Sequence, residues 1–212
     1  MTLRQQLDTF AHMPHHTEDE LSAAFAHLAP YLLYGGYVRV LDRYCLYIQR
    51  VEFYFHSEAD GLKDDIVYHR NNYHIDGQLP YFTPLTFHAH VSGYDIAFEN
   101  EKEQYRASAL IRAYEIYDKE KKMYLKAQNG RFVYSNEPHV NTQSTYLYAI
   151  LNGFGDAGVI EWVDEPSAYI EEHAPLKQEK RQGVYVGTKW QDEKYKGPRE
   201  RKWSFARKES IF

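Results

Sequence analysis

The chain reads as one α+β domain, a curved, mostly antiparallel β-sheet with flanking helices. Three observations predict it. Apolar residues recur at helical spacing near the N-terminus, and from Tyr37 onward the period falls to two. Short turn signals, Asp42-Arg43 and Asn129-Gly130, join consecutive strand-like runs as hairpins require. No internal repeat or linker divides the 212 residues, a length that suits one large core.

Residues 1–16 are polar with no clear period and read as an N-terminal arm, loose or a short helix; the domain proper spans 17–212. Thr17-Glu18-Asp19-Glu20 has the form of a capping box. Leu21, Ala24, Phe25 and Leu28 then follow at helical spacing, with Pro30 expected to limit the helix and Gly35-Gly36 marking a turn. Tyr37–Leu41 and Tyr44–Phe55 read as strands. Residues 57–84 are irregular, and an ordered connection of that length is usually functional. Leu85–Ile96 and Ala107–Tyr117 read as further strands, Lys119–Lys122 as a turn, and Met123–Ala127 with Arg131–Tyr134 as a hairpin. Thr145–Leu151 looks helical, and Gly183–Gly187 and Trp203–Ala206 look like late strands.

Composition narrows the class. No apolar run is long enough to span a membrane, and the N-terminus lacks the apolar core of a signal peptide. The single cysteine, Cys45, excludes an internal disulfide framework, so a reducing, cytoplasmic location is expected. The net charge of -5 argues mildly against a nucleic-acid partner, but it hides an asymmetry. Residues 177–212 carry +6 and the rest -11. A basic C-terminal segment suits a phosphate backbone, and it also suits a solvated tail.

One strand carries chemistry. On Arg50–His56, side chains alternate, so Glu52, Tyr54 and His56 share one face while Val51, Phe53 and Phe55 face the core. A Glu on so apolar a strand is either half of an ion pair, with Arg112 a candidate partner, or a general base in a partly dry pocket. Downstream, Tyr68-His69-Arg70 lies in the long loop, His88, His90 and Ser92 share a face, and Arg112 interrupts an apolar strand.

With these residues in order, the chain resembles the alkyladenine (3-methyladenine) DNA glycosylase family. Tyr31–Val40 matches its helix end and first strand; Glu52-Phe53-Tyr54 matches its Glu-x-Tyr strand; His69 and Arg70 loosely match a loop His-x-Arg element. Phe87–Gly93 matches a strand leading to a Gly, and Leu110-Ile111-Arg112-Ala113-Tyr114-Glu115 an apolar-apolar-Arg-Ala-x-Glu strand. Arg181-Gln182-Gly183-Val184 and the basic stretch after it are also similar.

The resemblance implies the family's fold and a monofunctional DNA N-glycosylase of base-excision repair, acting on an alkylated or otherwise damaged purine flipped from DNA. Glu52 would activate the water that attacks C1′, Tyr54 would stack on the base, and His69 would orient it. His90 would stand for a second stacking aromatic, with His88 beside it on the base-binding strand. Ser92 stands where the family inserts a wedge Tyr, and Asp95 and Glu99 lie where an Asn is expected. Arg112 would support the DNA-binding face or the pocket, with Ser92, Arg70 and Arg181 also on the DNA-binding side; separately, the charge of the basic segment predicts phosphate contacts from Lys194, Lys196, Arg199, Arg201 and Lys202. Neither cofactor nor metal is implied, and a monomer is expected.

Two other classes compete. His88 and His90, with His56, His69 or Glu52 as a third ligand, would suit a metal-dependent hydrolase. A relative that keeps the fold without its chemistry would be a nucleic-acid-binding module.

Overall fold

Two helices lie against one face of a ten-stranded antiparallel sheet, and the sheet's other face carries a band of buried polar side chains. The structure, a computed structural model, describes residues 1–13, 17–57, 62, 64, 80–90, 93–143, 147, 160–165, 176–181 and 200–208.

The N-terminal segment is a helix. Thr2 and Gln5 cap α1 (Leu3–His12) reciprocally, side chain to backbone. Leu3, Leu7, Phe10 and Ala11 are buried at helical spacing. Phe10 stacks on Phe25 at 5.6 Å and meets Phe98 edge-on at 5.1 Å. Helix α2 (Glu18–Tyr34) starts at Thr17, whose hydroxyl accepts from the Glu20 amide and donates to the Glu20 carboxylate. Pro30 does not end it. The carbonyl that a proline deprives of its partner lies four residues back, here on exposed Ala26, while buried Leu28, Ala29, Leu32 and Leu33 carry the core face across the gap. The helix stops at Gly35, and Gly36 begins β1; a Cβ on Gly36 would lie 2.0 Å from the Val163 carbonyl oxygen.

The strands are β1 (Gly36–Val40), β2 (Tyr44–Ser57), β3 (Thr86–His90), β4 (Gly93–Ala97), β5 (Tyr105–Asp118), β6 (Met123–Gln128), β7 (Arg131–Ser135), β8 (Ile160–Asp164), β9 (Leu176–Glu179) and β10 (Ser204–Arg207). They run β3-β4-β5-β2-β1-β8. In addition β6 pairs with β5 and β7, and β10 pairs with β2 and β9. The β1–β2 turn spans Leu41, Asp42 and Arg43, the expected Asp42-Arg43 with one residue more, and Leu41 and Asp42 are both at φ 54. Asn129 and Gly130, at φ 49 and 79, make the expected hairpin turn.

The expected single strand Leu85–Ile96 is two, β3 and β4, paired antiparallel with His90 opposite Gly93. Gly93 has φ 137, a conformation that side chains rarely adopt, which suits it to the reversal. Strands β8 and β9 were not expected from the sequence; β9 has a single apolar residue, Leu176, whereas β8 carries Ile160, Trp162 and Val163. The expected helix Thr145–Leu151 and strand Gly183–Gly187 fall outside the described residues, apart from buried Leu147.

The central pair β2–β5 contains a double irregularity. Ile48 pairs with Tyr114, Arg50 with Ala113 and Val51 with Ile111, so Gln49 and Arg112 are each one extra residue. Alternation therefore changes phase: Leu46 and Ile48 face the core before it, Val51, Phe53 and Phe55 after it. Because both strands gain a residue, the register closes again. Phe53 then stacks on Phe25 at 4.5 Å, and Trp203 meets Phe25 edge-on at 5.0 Å. Without the phase change, Glu52 would point at the helices.

Candidate functional site

The phase change places Glu52 on the sheet face away from the helices. Direct cross-strand partners share a face, so the pairings Glu179–Ser204–Glu52–Leu110–Asp95–His88 form one row across five neighbouring pairs of strands. The next positions along β2 on this face are Tyr54 and His56. All three β2 side chains are buried, with Glu52 at 0 % exposure.

A buried carboxylate needs compensating partners. Glu52 Oε2 accepts from the Tyr54 hydroxyl at 3.0 Å and faces Arg112 Nε at 3.2 Å. Arg112 reaches it because it is the extra residue of β5, and bulges re-aim side chains. Burial, then the adjacent Glu52 carboxylate, push the Tyr54 phenol well above its ordinary value, with Arg181 and Arg112 pulling the other way. Tyr54 therefore serves as the proton donor in its bond to Glu52.

Arg181 closes the cluster from the far end of the chain. Its guanidinium sits 4.8 Å from the centre of the Tyr54 ring, donates to Asp64 Oδ2 at 2.6 Å and reaches the Phe53 carbonyl at 3.4 Å. Arg201 donates to the same Asp64 oxygen at 3.3 Å and to Glu18 at 2.9 Å, with its guanidinium over Trp203 at 4.6 Å. The Asp64 amide donates to His56 Nδ1 at 3.0 Å. One residue of the long irregular segment thus ties His56, Arg181 and Arg201 together.

Of the residues singled out in the sequence, Glu52, Tyr54, Arg112 and Arg181 converge. Arg181 and Arg201, expected on a DNA-binding surface, are instead buried, at 6 % and 9 % exposure, and both pair with Asp64, Arg201 also with Glu18. Lys202 is exposed. Tyr54 is buried, at 5 % exposure, and Arg181 lies over one face of its ring. His88 lies on the Glu52 row three strand spacings away, roughly 14 Å between backbones, with its ring 5.1 Å from that of Phe82. His90 is on β3, but its side chain lies outside the described part of the structure, as do His69, Arg70, Ser92, Lys194, Lys196 and Arg199 altogether.

Sequence reasoning missed Asp64 and the position of Asp95. Asp64 stands in a polar stretch where another Asp carries no signal. Asp95 carried the same signal as Glu52, an acid alternating with apolar residues, here Tyr94 and Ile96. Among the described residues, no three His, Cys, Asp or Glu side chains gather closely enough to hold a metal ion. No helix among them is long and apolar enough to cross a membrane. No protein family, curated protein or solved structure matches the chain.

Proposed function

We propose that this chain is a DNA N-glycosylase, a hydrolase of the N-glycosidic bond of a damaged purine, in which Glu52 activates the attacking water. One observation carries the reading: Glu52, Tyr54 and Arg112, the residues that the family resemblance marks as functional, meet at a single carboxylate oxygen, 3.0 and 3.2 Å from it. Arg112 and Tyr54 fix the carboxylate's orientation, and a general base must be held in place before it can take a proton in the transition state. The water's oxygen bonds to C1′, its proton passes to Glu52, and the base leaves. Tyr54, at 5 % exposure with Arg181 over one ring face, acts chiefly by holding Glu52. Lys202 and the other lysines of the basic segment would supply phosphate contacts in place of buried Arg181 and Arg201.

The test is base release from DNA carrying 3-methyladenine, 7-methylguanine, hypoxanthine or ethenoadenine. Wild type releases at least one of them, and Glu52→Gln slows that release roughly 100-fold or more. Equal rates for the two proteins would sink the mechanism.

A second reading has its own observation. Glu52 is fully buried against protein groups, the arrangement of a structural ion pair in a non-enzymatic binding relative. It gains if neither protein releases base while wild type binds DNA.

A further inference from the structure

We infer that a second site lies on the same outer face of the sheet, past the β2–β5 irregularity: tyrosines around Glu115 hold a small quaternary ammonium compound, a cation of the choline type. It is separate from Glu52. Glu115 stands several positions along β5 from Leu110, the partner of Glu52, on the order of 15 Å of strand.

Strands β2 and β5 supply a square of four neighbouring side chains. Tyr47 pairs with Glu115 and Cys45 with Tyr117, and these four alternate with core-facing Leu46, Ile48, Tyr114 and Ile116. Tyr47 and Tyr117 therefore stand at diagonal corners, where cross-strand neighbours are roughly 7–8 Å apart. Glu115 takes the third corner. The fourth holds Cys45, a small side chain at 5 % exposure that serves as the floor. A further ring widens the square on each side. Tyr37 on β1 lies 5.5 Å from Tyr47, inclined at 43°, and Tyr124 on β6 lies 5.1 Å from Tyr117, inclined at 58°. The Tyr37 hydroxyl also shares a hydrogen bond with the Cys45 thiol. A tilted pair does not cover its own faces as a parallel stack does, and all four rings are half-buried.

Charge decides the occupant. Glu115 is half-buried, and among the described residues it has neither a hydrogen bond nor an ion pair. Burial raises its carboxyl above the ordinary value, with Arg207 pulling the other way. Arg207 itself lies over the Tyr34 ring and donates to the Leu33 carbonyl. Burial, then the Glu165 carboxylate, push the Tyr47 phenol up to about 12, and Glu165 acts on Tyr37 in the same direction. Arg39, on the same face of β1, pairs with Glu161 and Asp42, and Lys126 of β6 acts on His139. An underpaired carboxylate among tyrosine rings repels phosphate and attracts a cation. A quaternary ammonium fits such surroundings because it is weakly hydrated, spreads its charge over methyl groups and is drawn to ring faces by their quadrupole.

The experiment titrates the protein with choline and with its neutral isostere, 3,3-dimethyl-1-butanol, and follows the ligand methyl protons by NMR. Choline binds with its methyl signal moved upfield by the rings, and the isostere binds at least about tenfold more weakly. Tyr47→Leu, Tyr117→Leu and Glu115→Gln, each checked for folding by circular dichroism, weaken choline roughly tenfold. Glu115→Gln removes a carboxylate without a partner, so it serves where a tyrosine variant does not fold. Three results overturn the inference: no binding of choline, equal binding of the isostere, which shows an apolar patch only, or unchanged choline binding by folded Glu115→Gln. None of them touches the Glu52 mechanism, which base release tests.

Discussion

At the scale of single residues, the Glu52–Arg112 contact carries opposite expectations for its two possible roles. As a buried pair, it makes each partner's removal costly, because the other charge is left uncompensated. Arg112→Met should cost about 3–5 kcal/mol in urea unfolding, while Glu52→Leu/Arg112→Met together should cost much less than the sum of the single changes. If the single changes simply add, the two side chains are not coupled and the orienting role of Arg112 fails. Asp118 shows the same physics at a turn. Burial would push its carboxyl up, but the Arg43 guanidinium, the Lys121 amide and the Tyr134 hydroxyl outweigh that and hold it at about 2. The sign follows from a folded value below the unfolded 3.8: its contribution to stability is present above pH 4 and lost as pH falls toward 2. Acid titrations of unfolding should show Asp118→Asn less stable than wild type at neutral pH, with the gap closing over that interval. A gap that persists at pH 2 would point to packing instead of charge.

At the scale of elements, α1 and the β2–β5 pair matter most. Helix α1 could be taken for a dispensable arm, because only four of its ten residues are the buried apolar positions Leu3, Leu7, Phe10 and Ala11. Phe10, however, touches four rings: Phe25, Phe55, Phe98 and Tyr105. Phe10→Ala should therefore cost about 3–5 kcal/mol in chemical denaturation, the range for emptying an aromatic site in a close-packed core. A cost below about 1 kcal/mol would mean that the helix is only loosely attached. The bulged pair does for the site what α1 does for the core. It reconciles the outward face of Glu52 with core-facing Leu46 and Ile48 on the same strand, and it brings Arg112 to the carboxylate.

At the scale of the whole molecule, the sheet separates two environments. Its helix side is an aromatic core; its other side holds Glu52, Tyr54, His56, Asp95 and Ser108 in a buried polar band, with partly exposed Arg112 at Glu52. The excess basic charge of residues 177–212 is partly neutralised inside the fold, where Arg181 and Arg201 share Asp64. Under the proposed function, DNA affinity should consequently depend on salt through fewer contacts than the segment's charge suggests. The slope of log affinity against log salt should fall on Lys202→Ala and stay unchanged on Arg201→Met, provided that variant is folded. An equal loss of slope in both would restore Arg201 to the binding surface.

By itself, the sequence determined what depends on neighbours along the chain. The helical period of Leu21, Phe25 and Leu28, the alternation around Val51–His56 and the Asn129-Gly130 turn are local signals, and each led to the right element. They put Glu52 and Tyr54 side by side and named Arg112 as a possible ion partner. That alternation also turned Val51, Phe53 and Phe55 to the core; the tertiary structure alone decided how this fits Leu46 and Ile48, which face the core in the opposite phase, through one extra residue in each of β2 and β5. It also decided the fate of Arg181 and Arg201. Their charges look available for phosphate until Asp64, more than 100 positions earlier, is folded against them; pairing over that separation depends on strand order, which no local period encodes.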